Sequence, residues 1–265
     1  MKSGQRLSYG SYLQVDELLG LQHPLSKPEH HDEMLFIVIH QVYELWFKLL
    51  LHELDATMAA MDRDDLLRVA KHFRRIHAIQ RILEQQVDVL ETMTPQEFNR
   101  FRDNLNPASG FQSVQFREIE FACGLRRTDV LKYVQLDDAA RARLERRAAE
   151  PSLYDHAKEL LRRRGFAVDS SEALLESFRR IYTAEGEFYD LHLLLEDMIE
   201  FDERLLLWRG RHVRMVERMI GQKMGTGGSL GAAYLAKTLD SRLFPELWEV
   251  RTLLGSGYGS ENGNP

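Results

Sequence analysis

The chain has 265 residues, 44% of them hydrophobic and 29% charged, with a net charge of −6. Such a composition suits a globular protein with a substantial core, and the negative balance argues against a general nucleic-acid or acidic-membrane role. The lone cysteine, Cys123, excludes an intrachain disulfide framework and any thiolate-held cluster supplied by one chain, and it suits a reducing, cytoplasmic setting.

Met1–Leu7 lacks the apolar core of a signal peptide, and no apolar run approaches the roughly 20 residues of a membrane span. Ser11–Leu19 reads as a short helix, followed by a loop marked by Pro24 and Pro28. Asp32 is placed to cap a long helix running to about Met61, and Asp62–Asp65 turns the chain into a second ending near Thr92. Thr94-Pro95-Gln96-Glu97 is a capping box with proline at the first helical position, opening a helix to about Leu105. Asn106–Gly110 is a loop. Helices are predicted at Gln112–Cys123, Thr128–Val134, Asp137–Ala149 and Ser152–Arg164, then two long ones at Ser170–Glu196 and Phe201–Gln222. A glycine-rich turn, Met224–Ser229, leads to short helices at Leu230–Leu239 and Pro245–Leu254. Gly255–Pro265 is a polar, glycine-rich tail expected to be disordered. Strand signals are almost absent. The expected fold is an all-α single-domain bundle of long helices over residues 1–254.

Two histidines break this pattern. His212 sits in the apolar stripe Leu205, Trp208, Met215, Val216, Met219. A polar imidazole facing a core must be hydrogen-bonded or bound to something. His40 shares an aromatic face with Phe36, Tyr43 and Phe47, while Leu35, Val38, Val42, Leu45 and Leu49 form a second apolar face. A helix apolar on two sides is expected to be buried. Taken alone, each histidine reads first as a core group donating to a backbone carbonyl. Zinc is a poor fit for His212, since no HExxH motif occurs. Haem suits it better, needing one imidazole, an apolar slot and basic groups for its propionates. Arg209 flanks His212, whereas Arg211, Arg214 and Arg218 read as a solvated face. Arg102 follows Phe98 by one turn and can fork onto a carboxylate, though a surface ion pair is the plainer reading. In Gly225-Thr226-Gly227-Gly228 the glycines allow close backbone approach and Thr226 offers a hydroxyl.

Several stretches together resemble the tryptophan 2,3-dioxygenases, haem enzymes of the all-helical indoleamine/tryptophan dioxygenase superfamily. They are Leu7–Leu13, His30–Ile37, His40-Gln41 with Glu44-Leu45-Trp46, Phe101-Arg102-Asp103, Ser109–Ser113, Trp208-Arg209 with Arg211-His212, and Gly225–Ser229. The resemblance implies haem b carried on His212 as axial iron ligand, with Trp208 and Arg209 beside it, and O2 as co-substrate. It implies that His40 hydrogen-bonds the indole nitrogen of L-tryptophan, that Phe36 packs on the indole, and that Arg102 holds the carboxylate. Thr226, with a haem propionate, would hold the ammonium, while Ser109 and Gly110 line the pocket. Phe98 stands where some members carry tyrosine. Tyr9, Tyr12 and Leu13 match an arm, within residues 1–20, that reaches a neighbouring subunit's site, implying a homotetramer. The reaction implied is opening of the indole C2–C3 bond to give N-formyl-L-kynurenine, the first step of the kynurenine pathway. A haem-dependent monooxygenase or hydroxylase of a tryptophan or tyrosine derivative is the nearest alternative. A non-catalytic helical scaffold is the alternative from another class.

Overall fold

The computed structural model describes residues 6–126, 136–184, 186–225, 235–236 and 239–255. Ser8 caps α1 (Tyr9–Leu13), and a left-handed Gln14 (φ +53°) separates it from α2 (Val15–Leu19), so the expected single N-terminal helix is two. The long α3 (His31–Asp62) follows the proline loop. Its N-cap is His30, not Asp32 as expected; Asp32 and Glu33 occupy the first turn, where carboxylates offset the exposed N–H groups of the helix start. Glu33 is buried and accepts from the Leu25 and Ser26 backbone N–H groups, tying the incoming loop to the helix.

Asp65 caps α4 (Leu66–Leu90) by accepting from the Arg68 N–H. The short α3–α4 turn makes these two long helices antiparallel neighbours. The capping box at Thr94 and Glu97 forms as expected and starts α5 (Pro95–Phe101), which tightens into a 3₁₀ turn over Arg102–Leu105. A second 3₁₀ turn, Gly110–Gln112, precedes α6 (Val114–Ala122). Then come α7 (Asp138–Ala149), α8 (Leu153–Arg163), α9 (Ser171–Thr183), α10 (Tyr189–Ile220) and α11 (Pro245–Leu253). Among the described residues there is no strand, and the fold is all-α.

The sequence places a helix break near residues 197–200; the structure instead ends α9 at Thr183 and begins α10 at Tyr189. Leu194, Leu195, Met198 and Phe201 continue one buried stripe across the acidic stretch, so α10 runs unbroken. Gly186, a weak helix former, lies where the helices separate. The helix expected at Thr128–Val134, the glycine turn with Thr226, most of Leu230–Leu239 and the tail beyond Gly255 lie outside the described residues.

The main core lies where α3, α4 and α10 meet. Leu54, Met61, Phe73, Ile76, Leu195 and Phe201 are fully buried there, with α8 and α11 adding Leu160 and Leu247. A second cluster, Ile39, Val87, Leu90, Phe101, Met215 and Met219, joins α3, α4, α5 and α10 nearer the chain's N-terminal helices. Asp202 on α10 fixes α11: one carboxylate oxygen accepts from the Leu243 N–H at 2.9 Å, the Phe244 N–H at 3.2 Å and Trp248 Nε1 at 2.9 Å. Asp202→Ala leaves those donors unsatisfied in a buried place and is expected to cost about 3 kcal/mol or more of stability. Urea titration of the wild type and the variant measures it.

One expectation about α3 holds only in part. On its second apolar face Leu35 and Leu49 pack against the core clusters, but Val38 and Leu45 are 38% and 50% exposed, and Met34 beside them is 42% exposed. Contrary to the sequence expectation, α3 is long and apolar enough, by length and composition alone, to cross a membrane. Its buried Glu33 and Glu53 and its contacts with α4 make it a core helix of this bundle.

Candidate active site

A cavity of about 580 Å³ opens between α3, α5, α6 and α10 and takes in the 3₁₀ turn at Gly110. Its wall on α3 carries Phe36, His40, Tyr43 and Glu44; its wall on α10 carries Trp208, Arg209 and His212. The two anomalous histidines therefore face one space.

His40 does what the plain reading expects and more. Its Nδ1 lies 2.6 Å from the Phe36 carbonyl. A carbonyl only accepts, so Nδ1 carries the proton and Nε2 of the neutral ring is left as an acceptor. Burial holds its pKa below the ordinary value, partly opposed by the Phe36 carbonyl and the Glu44 carboxylate. The ring packs 4.1 Å from Phe36, which stacks on Phe98 at 5.7 Å. These aromatics form a flat, apolar shelf beside the acceptor.

His212 is different. Among the described residues neither ring nitrogen has a hydrogen-bond partner. The ring stacks on Trp208, with centroids 5.4 Å apart and planes 9° from parallel. Trp208 is itself held by Phe116 at 5.2 Å and by Tyr43 at 6.2 Å. Burial pushes the His212 pKa down to about 4, with His40 adding repulsion. At neutral pH it is an uncharged imidazole whose orientation is fixed and whose nitrogen lone pair is unused.

The basic groups come in two sets. Arg209 is buried; it donates to Glu120 Oε1 at 2.7 Å and to the Ser241 carbonyl at 2.9 Å. Arg117, which the sequence reading missed, donates to Glu120 Oε2 at 2.6 Å and lies over the Phe111 ring at 4.9 Å. Its Nε is buried without a partner. Two guanidiniums thus share one carboxylate at the cavity wall, and Arg117 keeps one N–H donor unengaged. Arg102, the second set, donates through Nη2 to the Met224 carbonyl, and its Nε is also buried without a partner.

A largely apolar cavity with a spare imidazole nitrogen and guanidiniums on its wall suits a mostly apolar group that bears carboxylates and an open ligation position. Ser109 and Gly110 line the same cavity, as does Phe98. Tyr9, Tyr12 and Leu13 do not. They lie on or at the end of α1, 78%, 71% and 46% exposed, away from their own chain's cavity.

The family model described as tryptophan 2,3-dioxygenase matches residues 1–180 and 143–254, nearly the whole chain. The chain belongs to the tryptophan 2,3-dioxygenase family. A tryptophan 2,3-dioxygenase of a Nocardioides species is 48% identical over 258 residues, covering 96% of this chain and 97% of that protein. Those of Kineococcus radiotolerans and Bacillus thuringiensis subsp. konkukian are 45% and 44% identical, covering 95% and 94% of this chain and 93% and 94% of theirs. Similarity at this level extends through every element that lines the cavity. In this member of the tryptophan 2,3-dioxygenase family, α3, α5, α6 and α10 bring together Phe36, His40, Phe98, Arg102, Ser109, Gly110, Trp208, Arg209 and His212. Arg117 and Glu120 are cavity residues that no sequence motif named, and Glu44 was named only as part of the Glu44-Leu45-Trp46 stretch. Arg117 lies one turn beyond Ser113, at the edge of the Ser109–Ser113 stretch, and that adjacency is the signal that points to it.

Proposed function

We propose that this protein is a haem-dependent dioxygenase that opens the indole C2–C3 bond of L-tryptophan with O2, giving N-formyl-L-kynurenine. The observation that carries the reading is the pairing across one cavity of an unpartnered neutral imidazole, His212, with a second imidazole, His40, whose free nitrogen is an acceptor. Family membership favours this activity over the monooxygenase or hydroxylase alternative.

What supports haem b is the donor set. His212 would offer its nitrogen to the iron, and Trp208 holds the plane of its ring. Arg117 and Arg209 offer the cations for propionates, and Arg117 Nε is a buried donor without a partner. Haem bound there supplies activation of O2, a chemistry no side chain provides.

The chain's own residues handle the amino acid. Phe36 and Phe98 give the indole an apolar bed, and His40 Nε2 accepts its N–H. Arg102 exchanges its bond to the Met224 carbonyl for the substrate carboxylate, using its unpaired Nε as a second donor. Thr226, outside the described residues, is assigned the ammonium together with a propionate. Ser109 and Gly110 close the side of the pocket. Fixing indole at one end and the charged groups at the other converts an encounter into a near-intramolecular reaction.

Tyr9, Tyr12 and Leu13 are assigned to a partner's site in a homotetramer. Their exposure, and the uncovered apolar residues of α3, support assembly. The reading also includes a cytoplasmic location and the first step of tryptophan catabolism through kynurenine; the single buried cysteine is in keeping with the former.

The test is stoichiometry and selectivity. Haem-loaded protein should consume one O2 per L-tryptophan and reject tryptamine and indole-3-propionate by at least about a hundredfold in kcat/KM, because each leaves a buried charged group unpaired. Equal turnover of all three would refute the assignment of the charged end. The pH profile offers a second check. Protonating His40 Nε2 turns an acceptor into a donor, so kcat/KM should fall as pH drops through the His40 pKa. Burial puts that midpoint below 6.5. A pH series with the wild type shows the acid limb, and His40→Ala should remove it.

A further inference from the structure

We propose that Glu44 is a positioning residue for this reaction: its carboxylate pins the pocket-lining stretch Ser109–Gln115 to the turn of α3 that carries His40. The inference rests on the reading of the cavity given above and adds the device that sets its width.

Glu44 follows His40 by one helical turn and lines the cavity. Its Oε1 accepts the Ser113 hydroxyl at 2.6 Å. Its Oε2 accepts Gln115 Nε2 at 2.8 Å, and the same amide donates to the Glu44 backbone carbonyl at 2.8 Å. Ser113 Oγ also accepts the Phe116 N–H at 3.2 Å, capping α6. One side chain thus joins the start of α6 to α3. The stretch so held carries Ser109 and Gly110 at the pocket's side and leads directly to Arg117 and Glu120.

The choice of a carboxylate is informative. Among the described residues Glu44 makes no ion pair; its partners are a hydroxyl and an amide. A charge in a largely apolar wall has a desolvation cost that a neutral or apolar residue would avoid. Two acceptor oxygens on one rigid group receive both donors at once. A glutamine could keep part of the tie, accepting from Gln115 and donating its amide to Ser113 Oγ, so the residue that abolishes it is one with no polar side-chain atom, alanine. The carboxylate also acts on His40 through space, opposing the effect of burial and keeping Nε2 the stronger acceptor.

The experiment compares haem-loaded wild type, Glu44→Ala, Ser113→Ala, Ser113→Thr and the Glu44→Ala/Ser113→Ala double variant. Haem content, melting temperature, kcat, KM and the calorimetric Kd for L-tryptophan are measured for each. Glu44→Ala and Ser113→Ala should each raise both KM and Kd by about tenfold, the factor for one lost hydrogen bond, with haem stoichiometry unchanged. Ser113→Thr keeps the hydroxyl and should stay within about twofold. The double variant should be no worse than the weaker single one, since both break the same tie. Single variants within about twofold of wild type, or effects that multiply in the double variant, would overturn the proposal. A wild type that does not turn over L-tryptophan would overturn the reading of the whole site instead, and the two failures are distinct.

Discussion

His212→Ala should fold and purify without tightly bound haem and without a Soret band. The imidazole makes no hydrogen bond within the described structure, so its removal leaves no protein donor or acceptor stranded. It does remove the nitrogen offered to iron and the ring stacked on Trp208. Apolar contacts and the Arg117–Glu120–Arg209 cluster remain, but they supply no axial bond. The haem-to-protein ratio after gel filtration, read with the Soret absorbance, measures the loss. His40→Ala is the matched control, since it changes the opposite wall and should keep the haem. If His212→Ala retained a full complement of haem with an unaltered spectrum, another residue would be the ligand.

Arg102→Ala should raise KM for L-tryptophan by roughly one hundredfold while haem content stays at the wild-type level. A fork of charge-assisted hydrogen bonds to a desolvated carboxylate is worth about 2–5 kcal/mol when one partner is truncated. Arg102 reaches the cavity from the end of α5 and, among the described residues, hydrogen-bonds the Met224 carbonyl, so haem binding should be untouched. Arg102→Lys should recover little, because a point charge cannot match the two-donor fork. The variant should also lose most of its preference for L-tryptophan over tryptamine. Steady-state kinetics on both substrates, beside a haem assay, separates this outcome from a general loss of structure. Wild-type KM in Arg102→Ala would remove the arginine from the carboxylate site.

Much of the helical plan was legible because caps and apolar stripes are local. Thr94, Asp137, Ser152 and Ser170 begin helices where their side chains accept from the third residue on. The break before α10 was misplaced for an equally local reason: charges at Glu196, Asp197 and Glu200 resemble a boundary, yet the buried stripe runs beneath them. The second apolar face of α3 resembles a full core face because apolar composition does not state what covers it; Leu35 and Leu49 are packed, while Val38 and Leu45 stay exposed within the described residues.

At the site, histidines in apolar stripes were visible as anomalies, and the structure puts both on one cavity. Arg117 was not visible, because its meaning depends on a carboxylate shared with Arg209, 89 residues further along the chain from Glu120. Glu44 lay inside a recognised stretch, but its two partners are 69 and 71 residues away. Pairings of that range are set by packing and leave no periodic trace in sequence. Arg209 was expected beside the cofactor; the structure adds that its guanidinium is already engaged by Glu120 and the Ser241 carbonyl.

The most direct test of the central claim uses haem-loaded protein reduced without air, then given L-tryptophan and isotopically labelled O2. Mass analysis of the product is the measurement. The account predicts a product that keeps every atom of tryptophan and carries two labelled oxygen atoms. A product with one labelled oxygen, or labelled O2 consumed with tryptophan unchanged, would contradict it.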